Sequence, residues 1–193
     1  MDTFTDGTFR PDSTMTREDF ARMLYFNTAL RQTLGAATRF TDVAGDFRAI
    51  AEAVTAKGST LRDWNFAPEG MMSAGASTFD PAGLSKRVDI AVALVRALGL
   101  DAEAKAKAGT TVTVTSNGQT HTLQDNAEIP LDKRGYVQIA LDKGLLQAFF
   151  TLEQGPFDFQ PILKARVRPN DPTTRAFMAY ALGNFRGRFV AGN

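Results

Sequence analysis

Three times along the chain an apolar residue is followed two positions later by proline and eight positions later by arginine. The triples are Phe9, Pro11, Arg17; Phe79, Pro81, Arg87; and Val167, Pro169, Arg175. Two identical offsets in three places mark an internal repeat. A repeat constrains the fold more than local propensity does, because each unit must bury its apolar face against its neighbours. The copies read TFRPDSTMTREDFARML over 8–24, TFDPAGLSKRVDIAVALV over 78–95 and RVRPNDPTTRAFMAYAL over 166–182. The third copy follows the second at a longer interval than the second follows the first. The extra length has a visible source in TTVTVTSNGQTHTL, residues 110–123. It alternates Thr and Val around Asn117-Gly118, the pattern of a two-stranded hairpin.

Downstream of each arginine the apolar spacing is helical. Phe20, Met23, Leu24, Leu30 and Leu34 form one stripe, interrupted by Asn27, with Gly35 as its stop. Ile90, Leu94 and Leu98 run up to Gly99, and Met178 and Leu182 run up to Gly183. A second helix type lies between. DVAGDFRAIAEAVTAKG sets Phe47, Ile50 and Val54 on one face before Gly58, and LDKRGYVQIALDKG sets Tyr136 with Ile139 before Gly144. Segments 58–87 and 144–175 read as long loops. The chain is therefore expected to be mainly α, a helix and then two rounds of helix–long loop–helix, with one inserted β-hairpin. The first round lacks its leading helix.

Composition narrows the chemistry. With 193 residues, 44% apolar and 22% charged, the chain has material for one ordinary core. A net charge of +1 leaves no basic footprint for duplex nucleic acid and no polybasic membrane patch. No apolar run approaches transmembrane length. The amino-terminal MDTFTDGTFRPD has neither the basic nor the apolar region of a signal peptide, so an exported version would be part of something longer. The absence of cysteine removes disulfides, thiolate nucleophiles and cysteine metal sites, and the single histidine, His121, falls on the hairpin without a signalled Ser or Asp partner. Asp2, Asp6 and Asp12 do not match a calcium loop, and no phosphate-binding glycine motif occurs. The expectation is a non-enzyme without metal or cofactor.

The arginines carry the strongest hint of a site. Thr16 is a suitable N-cap with Asp19 three residues on, yet Arg17 stands between them, where a helix start favours an acid. A cation in the first turn costs about 0.3–1 kcal/mol where exposed. Arg87 repeats the placement beside Lys86, and Arg175 repeats it again. Three like placements point to an anion, since helix starts and guanidinium groups both hold carboxylates. That anion is either a ligand or a carboxylate of a neighbouring repeat, such as Asp42 or Asp46. Trp64, in the polar loop LRDWNFAPEG, either stacks on a sugar or closes its loop onto the core; its large apolar area favours the second.

DGTFRPDSTMTREDFARML, residues 6–24, resembles the second half of an S-layer homology motif, close to GxFxPxxxiTRaEfaxml. FTDVAGDFRAIAEAVTAKG, residues 40–58, resembles the first half, FxDVxxxxxaIxxaxxxG. The resemblance implies one pseudo-threefold module over 1–193, its helices forming a central bundle. Residues 1–35 would be the second half of repeat 1, 36–105 repeat 2, 106–128 the hairpin insertion and 129–193 repeat 3. It further implies an extracellular, non-catalytic module that anchors an exported bacterial protein to wall polysaccharide carrying pyruvate ketals. Arg17, Arg87 and Arg175 would hold the ketal carboxylate in grooves between repeats, with Lys86 and Trp64 as further candidate contacts. The pattern is departed from in several places. Asp19 and Asp89 replace the family's Glu, Phe177 replaces it in the third copy, and Lys86 replaces the Thr. The first-half Trp is absent, and IPLDKRGY shows no FxDV. The alternative is an interaction or oligomerisation module of a larger exported protein, with the arginines as internal ion pairs; the lengthened loops and the hairpin favour it.

Overall fold

The computed structural model describes residues 6–28, 30, 38–58, 69–157 and 159–191. Helix α1 (Arg17–Asn27) begins at a reciprocal cap: the Asp19 N–H donates to the Thr16 hydroxyl, and the Thr16 N–H donates to the Asp19 carboxylate. The stripe predicted to reach Gly35 stops at Asn27. The Asn27 amide donates to the Met23 carbonyl, and the Thr28 N–H and hydroxyl both donate to the Leu24 carbonyl. These polar groups satisfy the last carbonyls and end the helix early. Leu34 and Gly35 lie outside the described residues.

Helix α2 (Phe47–Thr55) buries Phe47, Ile50 and Val54 as the spacing predicts, and packs on α1. In α3 (Arg87–Ala97) every residue except Asp89 is buried, so this helix is wrapped on all sides and forms the centre of the core. The short α4 (Asp101–Ala106) follows it, too brief to leave a periodic signature. Strands β1 (Thr113–Ser116) and β2 (Gln119–Thr122) form the predicted hairpin, with Asn117 and Gly118 both at positive φ, as a tight hairpin turn requires. Helix α5 (Arg134–Asp142) packs against both α3 and α4. It comes so close to α4 that a Cβ on Gly135 would clash with the Ala104 carbonyl oxygen.

Two parts of the fold differ from expectation. Segment 144–175 is not a plain loop, for it contains a second antiparallel hairpin of β3 (Phe149–Glu153) and β4 (Ile162–Arg166). Helix α6 (Arg175–Ala191) does not stop at Gly183. Its second half is held to the end of α5, where the Asn184 amide donates to the Gly144 carbonyl and Arg188 Nε to the Lys143 carbonyl, while Phe185 is buried. Those contacts offset the cost of glycine within a helix, about 1 kcal/mol.

A buried polar cluster ties α3, α4 and α5 together. Arg96 donates to Asp101, to the Gly70 carbonyl and to Glu69, and the Tyr136 hydroxyl donates to Asp101. Burial and then this hydrogen bond push the Tyr136 phenol up to about 12, from 10.0. A raised acid pKa means the neutral phenol stabilises the fold fully below pH 10, and that contribution is lost as the pH climbs through 12. Tyr136→Phe is therefore expected to cost about 1.5–3 kcal/mol at neutral pH and to flatten the alkaline loss of stability. Urea unfolding across that pH range checks both.

The three repeated segments meet head to tail. Each contains a residue in the left-handed region just before its proline, at Arg10, Asp80 and Arg168 (φ 49°, 60° and 51°). Its carbonyl closes the same turn each time, to the N–H of Ser13, Gly83 and Asp171, all at 3.2 Å. The Met15 N–H donates to the Thr173 carbonyl, Ser85 to Met15, and Thr173 to Ser85, closing a ring of three buried backbone hydrogen bonds. Bridges Thr14↔Thr174, Thr16↔Leu84 and Lys86↔Pro172 surround it.

Candidate ligand site at the segment junctions

Each segment begins its helix inside the turn of another. The N–H groups of Arg17 and Glu18 donate to the carbonyls of Gly83 and Pro81; those of Arg87 and Val88 to Asp171 and Pro169; those of Arg175 and Ala176 to Ser13 and Pro11. Two of the donors left over at each helix start are thus already satisfied, and an anion has no claim on them. The guanidinium groups follow the same cycle. Nε of Arg17, Arg87 and Arg175 donates to the carbonyl of Phe79, Val167 and Phe9, at 2.8–2.9 Å. Arg17 and Arg175 also lie over the rings of Phe79 and Phe9.

The carboxylates named as internal partners are committed elsewhere. Asp46 pairs with Arg22 at 3.3 Å. Asp42 accepts from the N–H groups of Phe79 and Asp80, and these hydrogen bonds hold its carboxyl below the usual range, with Arg17 adding a smaller effect. Asp125 treats the third segment the same way, accepting from Val167 and Arg168. The parallel extends along the chain. The residue before each Asp donates its N–H to the carbonyl of the residue just ahead of the following segment, Thr41 to Ser77 and Gln124 to Ala165. Asp125 thus does for the third segment what Asp42 does for the second, from a place upstream of IPLDKRGY. The signal was the apolar–x–Asp spacing directly after the first hairpin.

The two junctions centred on Arg17 and Arg87 differ in what they leave open. Beside Arg17 the space is about 30 Å³, bordered by Met71, Ser73, Asp89 and Lys133, with Lys133 and Asp89 paired across it at 3.4 Å. Arg87 borders a cleft of about 380 Å³ with Gln147, Phe149, Asp171, Thr174, Phe177 and Tyr180. Arg87 is 5% exposed; its Nη2 donates to the Gln147 carbonyl at 2.7 Å, and Nη1 has no acceptor among the described residues. Its guanidinium lies 4.3 Å from the Phe177 ring and 4.7 Å from the Phe149 ring, and Arg168 lies 4.4 Å from that same Phe149 ring. Burial lowers the Arg87 pKa to about 10, with the charge of Arg168 adding to the shift and Asp171 opposing it. The group remains cationic at neutral pH.

A second sizeable cleft, about 420 Å³, lies where α2 and α3 end, bordered by Arg39, Lys57, Glu69 and Arg96. Its arginines are already engaged, Arg96 as above and Arg39 with the carbonyls of Gly75 and Ala76. Helix C-termini also repel anions. Of the remaining sequence candidates, Lys86 is exposed at the start of α3, where only the reciprocal half of a cap forms, from its N–H to Asp89. Trp64 lies outside the described residues. His121 stands edge-on to Phe150 across the two hairpins, and its Nε2 is buried with no hydrogen bond among the described residues.

With this geometry in place, the S-layer homology domain family model matches residues 1–21, the stretch holding Phe9, Pro11, Arg17 and Asp19. Domains of that family are non-catalytic and hold proteins at the bacterial surface by binding cell-wall polysaccharide. No curated protein matches the chain.

Proposed function

We propose that the chain is a non-catalytic, S-layer homology-like anchoring module for an exported bacterial protein, binding an acidic wall polysaccharide at the Arg87 cleft. The reading takes the three segments as repeats of one pseudo-threefold bundle, supported by the ring through Met15, Ser85 and Thr173 and by the cyclic arginine clasps. On this reading repeat 3 opens at Leu123 to Asp125, within the span first assigned to the hairpin insertion.

The observation that carries the ligand assignment is the company Arg87 keeps. Two guanidinium groups flank Phe149, and three aromatic side chains face a cleft large enough for a sugar ring. A ketal carboxylate would take Arg87 Nη1, while Phe177 or Tyr180 offers a face to the sugar. Arg17 and Arg175 then serve chiefly as clasps between repeats. Tyr180 is the residue to test, because it borders the cleft and is 38% exposed, with no part in any clasp. Tyr180→Ala is expected to weaken binding to pyruvylated wall polysaccharide about tenfold, or about 1.4 kcal/mol, with the melting temperature unchanged. Full affinity in a folded variant would move the site elsewhere. The interaction-module reading has its own support in the exposed apolar side chains of the second hairpin.

A further inference from the structure

We propose that the outer edge of β3 is a self-pairing surface, on which a second copy of this chain adds its own β3 antiparallel, centred on Thr151. In the second hairpin β4 is the inner strand: Ala165 bridges to Leu123, and its carbonyl accepts from the Gln124 N–H. Among the described residues β3 hydrogen-bonds to β4 alone, which leaves its other edge outermost there. Phe149, Phe150, Thr151 and Leu152 are all exposed along it, Leu152 at 71%. Within Phe149 to Leu152 the edge carries no proline, no charge and no bulge in its register with β4, the devices that usually guard an edge, and Glu153 alone brings a charge at its end.

The strand is complementary to itself in one orientation. Paired antiparallel about Thr151, Phe150 faces Leu152 of the second copy. Both share a face with Leu163 and Ala165 through the period of two and the observed register, so pairing extends one apolar face across both copies. On the opposite face, Phe149 meets Glu153 of the second copy. Glu153, which pairs with Arg166 within its own hairpin, then comes beside Arg168 of the other copy, which lies 4.4 Å from that Phe149 ring, so opposite charges and not like ones meet at the strand ends. An in-register parallel pairing would instead set Glu153 against Glu153 and is disfavoured.

The native chain has no cysteine, so introduced thiols read the geometry directly. At the centre, Thr151 of each copy is opposed at a Cα separation of about 4.5–5.5 Å, within disulfide reach. The two Glu153 positions lie four residues apart along the strands, about 13 Å, out of reach. Under mild oxidation Thr151→Cys is expected to form a covalent dimer and Glu153→Cys to remain almost wholly monomeric. In sedimentation velocity the cysteine-free chain should show a concentration-dependent dimer, and Leu152→Lys a monomer of unchanged circular dichroism. A cysteine-free chain that stays monomeric at every concentration overturns the proposal, as do equal cross-linking of the two cysteine variants and cross-linking at position 153 alone. None of these readouts involves glycan, so their failure leaves the anchoring reading standing.

Discussion

Replacing Arg87 with alanine is expected to lower the stability of the folded chain by about 3–5 kcal/mol. The side chain is almost wholly buried, and its removal strands the carbonyls of Val167 and Gln147 while leaving a hole between the rings of Phe149 and Phe177. Arg17→Ala removes the same two kinds of bond, to the Phe79 and Ser73 carbonyls, from a side chain that is only half-buried. Water takes over part of its role, and about 1 kcal/mol is expected. Urea unfolding of the two variants measures the contrast. Equal and small losses would contradict the clasp, because arginines held ready only for a ligand cost the free protein little when removed. The contrast also governs how binding is tested: an inactive Arg87→Ala protein reports unfolding as readily as a lost contact.

Asp125→Ala is the second large effect, about 2–4 kcal/mol. The carboxylate is 6% exposed and accepts from the Val167 and Arg168 N–H groups, which hold the third segment's left-handed turn in place. Without it the buried Val167 N–H has no partner. Asp42→Ala removes the matching bonds to Phe79 and Asp80, but at an exposed position, so its loss should be clearly smaller. Thermal melting of both variants ranks them. An Asp42 variant less stable than the Asp125 variant would contradict the account of how burial sets the two costs.

The spacing of Phe9, Pro11 and Arg17 and its two echoes was legible in the sequence, and so were the first hairpin and the stripe of α2. What the arginines bond to was not. The acceptors of their Nε groups are backbone carbonyls in another segment, and a carbonyl carries no residue identity that a motif can register. The unfavourable charge at each helix start pointed to a missing acceptor, and the Nε of each arginine finds one in a backbone carbonyl rather than in Asp42 or Asp46. Asp125 was hidden because the residues after it, Asn126 and Ala127, do not continue the pattern of Asp42-Val43. The second hairpin was hidden because Phe149 and Phe150 are adjacent, which breaks the alternation that marks a strand. The glycine at 183 misled for a different reason, since tertiary contacts from Asn184 and Phe185 outweigh a local stop signal.

The most direct measurement of the central claim is binding of the purified chain to isolated bacterial wall polysaccharide before and after chemical removal of its ketal pyruvate. The account predicts saturable binding to the intact polymer that disappears with the pyruvate. Binding that survives its removal, or none to any wall polymer from a well-folded sample, would contradict it and leave the arginines as clasps alone.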